Sequence, residues 1–217
     1  MKLDRDSYGS VALAWLIGIV LTVPVFLLFR SPWVRWPVFA IVLVLVLWQT
    51  LFFRVPRRHR AGGARSVVSV ADGKVVIVEK VFEPKYLNRE CIQISVYMNF
   101  FDVHANFWPV DGEVVYYQYY PGEHFLAFKP KASEENEHSC VGVRTPFGKE
   151  IVFKQLAGGF ARRIVCYARK GLAVKGGEQC GIIKFGSRID MYVPLEARIC
   201  VKVGDQVRAC ETVLAEL

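Results

Sequence analysis

None of the six cysteines forms a CxxC pair, and the chain of 217 residues holds only four histidines. The positions Cys91, Cys140, Cys166, Cys180, Cys200 and Cys210 match no zinc module, so no metal site is expected. They outline no small secreted disulfide scaffold either, and reduced, partly buried thiols in a cytosolic domain are expected. Charge of either sign is missing from 23 residues between Asp6 and Arg30 and from 18 between Arg35 and Arg54. Cationic excess is missing from residues 66 to 217, where nineteen Lys and Arg face eighteen Asp and Glu; residues 1 to 65 carry nine against two. The net charge of +8 therefore belongs to the flanks of the uncharged runs, and nucleic acid is not an expected partner. With 53% apolar and 22% charged residues, the chain is neither disordered nor collagen-like.

A helix needs about 20 apolar residues to cross the hydrocarbon core. Val11 to Phe29 and Trp36 to Phe53 both qualify, with Trp15, Trp33, Trp36 and Trp48 as interfacial anchors and RSPWVR as a tight connection. Pro24 inside the first run and the presence of a second run argue against a cleaved secretory signal. Residues 1–60 read as an uncleaved membrane hairpin. Seven cations on the terminal side (Lys2, Arg5, Arg54, Arg57, Arg58, Arg60, Arg65) against Arg30 and Arg35 in the connection put both termini in the cytoplasm. A hairpin that only dips into one leaflet is the alternative. The stretch FRVPRRHR favours anionic lipid in either case.

After a linker at residues 61–65, residues 66–217 read as mostly β. KVVIVEKV, CIQISVYM, EVVYYQYY, EIVFKQL and RIVCYA alternate with Asp72-Gly73, Asp111-Gly112, Pro121-Gly122, Phe147-Gly148, Gly176-Gly177 and Gly204-Asp205, the pattern of a strand-rich sandwich or barrel. Only Lys131 to Glu137 reads as a brief helix. Two stretches, Ala173 to Cys180 and Val201 to Val207, echo each other as strand, glycine turn and strand. The second continues as VRACETVLAEL and is similar to the hairpins of lipoyl and biotinyl carrier domains, a barrel-sandwich hybrid, but no lysine stands at a carrier tip.

Polar residues inside the apolar strands give a short list: Asp72 in SVADGKVV, His104 in NFFDVHANFWPVDG and Ser187 in IIKFGSRIDMYVP. Taken singly, an Asp-Gly pair is a turn, a lone histidine a satisfied core residue and Gly-Ser a connection. Together with KASEENEH and LAGGFARRIVCYARKG, which lie between the second and the third, the segments resemble the short membrane-associated phosphatidylserine decarboxylases, in the same order, over nearly all of residues 66–217.

The resemblance implies a proenzyme that cleaves itself at Gly186-Ser187 into a long chain, 1–186, and a short chain, 187–217, which stay associated. Ser187 becomes a covalent pyruvoyl cofactor, His104 is the base that activates it and Asp72 fixes the imidazole tautomer, a Ser-His-Asp set in the order Asp, His, Ser. It further implies that phosphatidylserine in the membrane forms a Schiff base with the pyruvoyl group, loses carbon dioxide and leaves as phosphatidylethanolamine. The catalytic domain would work at the cytoplasmic face of the cell membrane, with a homodimer as the natural guess for its assembly. Larger members carry a second histidine where this chain has Phe101, so His104 serves both steps or His124 supplies the second proton. His124 and His138 otherwise read as solvated loop residues; Lys184, Arg188, Lys129 and Lys131 are candidates to bind the lipid phosphate, or else solvated loop charges. The competing reading is a non-enzymatic, membrane-tethered lipoyl-like adaptor that keeps Gly186-Ser187 as an ordinary turn and stays one chain.

Overall fold

The structure, a computed structural model, describes residues 2–123, 125, 135–159, 163–184 and 187–217, and of Ser187 the backbone. Of the expected helix at 131–137, only 135–137 lie among the described residues, and His124, Lys129, Lys131 and Gly186 lie outside them. The chain divides into two units, Met1–Pro56 and Arg57–Leu217.

In the first unit, β1 (Lys2–Leu3) precedes α1 (Tyr8–Leu28) and α2 (Pro32–Phe52), which leads to β2 (Arg54–Val55). Each helix starts about a turn before the expected span, α1 three residues ahead of Val11 and α2 four ahead of Trp36. A turn in which Ser7 Oγ donates to Asp4 Oδ2 at 2.7 Å leads into α1, and Pro32 occupies the first turn of α2, where its missing N–H has no intrahelical partner to lose. Pro24 is accommodated inside α1. The helices approach at Gly18, where a Cβ would lie 3.1 Å from Val46, and Trp15 Nε1 donates to Thr50 Oγ1 at 3.1 Å. β1 pairs with β2, so the two ends of the hairpin meet. Both helices are long and apolar enough to cross a membrane, with mean hydropathies of 2.6 and 1.8. Their apolar side chains face outward, as Leu27, Leu28 and Trp33 show.

The second unit is built of strands: β3 (Ser66–Val68), β4 (Gly73–Glu83), β5 (Arg89–Met98), β6 (Ala105–Phe107), β7 (Gly112–Tyr120), β8 (His138–Arg144) and β9 (Glu150–Ala157). There follow β10 (Arg163–Cys166), β11 (Ala173–Val174), β12 (Gln179–Lys184), β13 (Ser187–Val193), β14 (Arg198–Ile199), β15 (Gln206–Val207) and β16 (Val213–Glu216). An eight-stranded sheet in the order β11-β7-β8-β9-β13-β5-β4-β15 curls into a half-barrel, and two three-stranded sheets, β10-β12-β6 and β14-β16-β3, accompany it. Strand-rich architecture behind two apolar helices is thus what the sequence pattern led one to expect.

The period of two sorts the side chains of β13. Ile189, Met191 and Val193 join Val96, Ile94, Phe153, Val141 and Trp108 in the main apolar core. The echoing stretches end up at opposite edges of the large sheet: β11 pairs with β7 at Gly112 and Glu113, and β15 with β4 at Gly73 and Lys74.

Candidate active site

β13 lies inside the large sheet, hydrogen-bonded to β5 on one side and β9 on the other, and Ser187 is its first residue. The register sets Ser187 opposite Met98 of β5 and opposite Ala157 of β9. The backbone after the Gly186-Ser187 bond is therefore held from both sides, in a row whose neighbours carry small or apolar side chains.

The next six residues of the chain connect this row to His104. From Met98 it turns through Asn99 to Val103, with Asp102 Oδ2 accepting the Asn99 N–H at 2.8 Å and Asn99 Oδ1 that of Phe101 at 2.8 Å. It then enters β6, which pairs with β12, the strand running into the proposed cleavage site. The His104 carbonyl accepts the Ile183 N–H at 3.3 Å. One loop is thus anchored on both strands that flank residues 185–186. His104 is fully buried, and its Nδ1 lies 3.0 Å from the Asp102 carbonyl. A carbonyl only accepts, so Nδ1 carries the proton and Nε2 is the basic nitrogen. Phe101, in the place of the second family histidine, is 75% exposed at the tip of this loop.

Asp72 stands at the mouth of β4. Phe107 N–H donates to the Val70 carbonyl at 2.9 Å, so the chain leading to Asp72 runs beside the chain leading back to His104. Gly73 follows at φ 148°, and a Cβ there would meet the Tyr97 carbonyl oxygen at 2.2 Å, which reserves the position for glycine. The contacts of the Asp72 carboxylate run to Arg58 and Ala209. Arg58 Nη1 bonds Oδ1, Arg58 Nη2 bonds Oδ2 at 2.6 Å, and Oδ1 also accepts the Ala209 N–H at 2.9 Å. The tautomer of His104 is thus set by the Asp102 carbonyl, and not by Asp72, whose carboxylate is engaged by Arg58 and Ala209. Burial works against the Arg58 charge, yet the hydrogen bonds and charge of Asp72 outweigh it and raise the guanidinium pKa.

A second corner is built the same way at the mouth of β7. Asp111 precedes Gly112, takes Arg60 Nη1 on Oδ2 at 3.0 Å and accepts the Gly176 N–H on Oδ1 at 2.7 Å. Two arginines of the basic stretch, expected to favour lipid, thus bind carboxylates of the folded domain.

Charges on the other face of β13 are buried as well. Arg188 and Asp190 are both inaccessible, with Nε 2.7 Å from Oδ1 and Nη2 2.9 Å from Oδ2; Ser95 Oγ donates to Oδ1 at 2.6 Å. Beside them Lys154 Nζ lies 2.8 Å from Glu83, whose carboxylate also accepts the N–H groups of Tyr86 and Leu87. Those bonds hold the Glu83 carboxyl below its usual range against the opposing effect of burial. Arg188 is therefore a structural cation, not the solvated charge expected. His138 also departs from the solvated loop expected of it: it opens β8, is 1% exposed, donates Nδ1–H to the Asn136 carbonyl at 2.6 Å and stacks on Tyr120. Burial, chiefly, lowers its pKa. Burial likewise pushes the thiols of Cys91 up to about 11 and Cys140 up to about 12, so neither is a nucleophile at neutral pH. The signal for the Arg188 pair was present as opposite charges two residues apart in a strand; nothing in the sequence announced the partners of Arg58 and Arg60.

A profile of the phosphatidylserine decarboxylase family matches residues 45–215. A phosphatidylserine decarboxylase proenzyme of Nitrosomonas eutropha is 41% identical over 212 residues, covering 98% of this chain and 94% of the relative. The protein of the same name from Porphyromonas gingivalis is 39% identical over 221 residues, covering 100% and 99%, and that of Aromatoleum aromaticum 45% identical over 174 residues, covering 80% of each. The chain belongs to the phosphatidylserine decarboxylase family.

Proposed function

We propose that the chain is the precursor of a self-cleaving decarboxylase that converts phosphatidylserine to phosphatidylethanolamine and carbon dioxide at a membrane. Family membership supports the activity, and the relatives named as proenzymes support maturation by cleavage. The observation that carries the mechanism is the loop from Met98 to His104, which ties a buried imidazole to both strands beside the Gly186-Ser187 bond.

In this reading His104 Nε2 takes the Ser187 hydroxyl proton while the oxygen attacks the Gly186 carbonyl carbon. The proton then goes to the leaving amide nitrogen, and the peptide bond becomes an ester. Loss of the α-proton of residue 187 breaks the ester, leaves a carboxylate on Gly186, and water expels ammonia from the new end of 187–217. The resulting pyruvoyl ketone supplies the electron sink for the departing carbon dioxide. The site fits such a group, because the backbone at 187 is fixed on both sides and a break before it severs no described strand. Asp72 acts as the nearby anion that stabilises the imidazolium.

The short chain 187–217 stays in place by its hydrogen bonds: β13 with β5 and β9, β15 with β4, and β16 with β3. Residues 1–56 carry the membrane hairpin, 57–65 form a linker that Arg58 and Arg60 pin to the domain, and 66–217 are the catalytic domain. The cation count, and the meeting of both hairpin ends, favour the cytoplasmic face. The test is conversion of phosphatidylserine in vesicles by the purified protein, with Ser187→Ala as the inactive comparison. A cleaved wild-type protein that leaves the headgroup intact would contradict the reading, and an uncleaved, inert one would return it to the adaptor alternative.

A further inference from the structure

We infer that Arg58 is a positioning residue for self-cleavage: it holds Asp72 in place at the end of a stretch that runs beside the chain leading back to His104, so that the segment following the membrane helices is part of the maturation machinery as well as a tether. The inference rests on the reading of Asp72 as a participant in cleavage.

An ionised carboxylate offers about four acceptor positions. Arg58 takes one on each oxygen of Asp72, and the Ala209 N–H takes a second on Oδ1. Among the described contacts one position remains, on Oδ2, for a donor that arises only during reaction, such as the imidazolium of His104. An Asp-Gly turn alone would let the carboxylate swing. The planar fork of arginine fixes both oxygens at once, which a lysine cannot do. Arg58 is itself fixed, because Nη1 also donates to the Ala209 carbonyl at 3.0 Å. Ala209 belongs to the future short chain and Asp72 to the long one, so the three residues join both products across the site. The side chains of Arg58 and Asp72 are only 9% and 13% exposed, where water competes little with the pair.

The Asp111 corner supplies the control. It has the same glycine, the same type of backbone donor and the neighbouring arginine, but Arg60 makes one contact to the carboxylate, and Asp111 is 44% exposed. If the arginines only pin the segment to the domain, Arg58 and Arg60 should be equivalent.

The experiment is a time course of the 187–217 fragment in full-length protein synthesised into lipid nanodiscs, with thermal melting recorded for each variant. Arg58→Gln should slow cleavage by about tenfold or more, since small misplacements of a catalytic constellation have effects of that order. Arg58→Lys, which keeps the charge and most of the packing, should fall between it and wild type. Arg60→Gln should cleave at the wild-type rate. Asp72→Asn should also be slow, and the Arg58→Gln, Asp72→Asn double variant no slower than Asp72→Asn alone. Equal slowing by Arg58→Gln and Arg60→Gln, or effects that multiply in the double variant, would overturn the inference. So would wild-type cleavage in both Arg58 variants while Asp72→Asn is slow. Wild-type cleavage by Asp72→Asn would instead remove Asp72 from the mechanism.

Discussion

The Asp72 and Asp111 corners are built from the same parts and differ in what surrounds them. Each joins an Asp-Gly pair, an arginine from residues 58–60 and a backbone N–H from within one of the echoing stretches (Gly176) or just beyond the other (Ala209). The Asp72 pair is forked, nearly dry and next to the chain that carries His104; the Asp111 pair is single and half in water. A repeated structural device has thus been left at one end of the half-barrel as a clamp, while at the other it adjoins the proposed chemistry.

The comparison can be broken most severely at the cleavage row. Ser187→Ala should give no 187–217 fragment at all, and His104→Ala should block its appearance; a fragment at the wild-type rate in either would remove that residue from the mechanism. Asp190→Asn comes next. It leaves a fully buried Arg188 without its full counter-charge, and the expected loss is about 3–5 kcal/mol of unfolding free energy, read by denaturant melts of the intact precursor. A loss below about 1 kcal/mol would mean that Arg188 finds another partner or water. Asp111→Asn, in the wetter corner, should cost no more than about 1 kcal/mol and leave the cleavage rate unchanged. A slowed rate there would erase the distinction between the corners.

The smallest effect concerns pH. The pKa of His138 is lowered in the folded state from its ordinary 6.5, so below that value the unfolded chain binds the extra proton first. Stability is fully present above 6.5 and falls as pH drops toward the folded pKa. His138→Gln should flatten the fall of melting temperature over this window, and an unchanged slope would assign that fall to other groups. Glu83, whose pKa is also lowered, contributes stability that is lost only at more acidic pH, below its ordinary 4.5.

Much of the architecture was legible because the signals were local. Uncharged runs of membrane length became helices, and Asp-Gly pairs opened β4 and β7. What escaped was the surroundings of polar residues. Arg188 was expected to be a solvated charge, yet it is as buried as Ile189 and Met191, because it and Asp190 satisfy each other. Arg58 read as a lipid-seeking cation because its partner lies 14 residues away, a pairing no short window can show. The candidate site itself was legible only through five motifs in order, three of which carry Asp72, His104 and Ser187. That Asp102 holds the imidazole of His104, and Arg58 the carboxylate of Asp72, depended on backbone positions that composition does not encode.

If the Gly186-Ser187 bond cleaves itself and leaves a ketone behind, intact-mass spectrometry of the purified, denatured protein will show two chains, one ending at Gly186 and one spanning 187–217 that is lighter by one ammonia than its sequence. A single full-length mass, or a 187–217 fragment that still carries an intact serine, would contradict it.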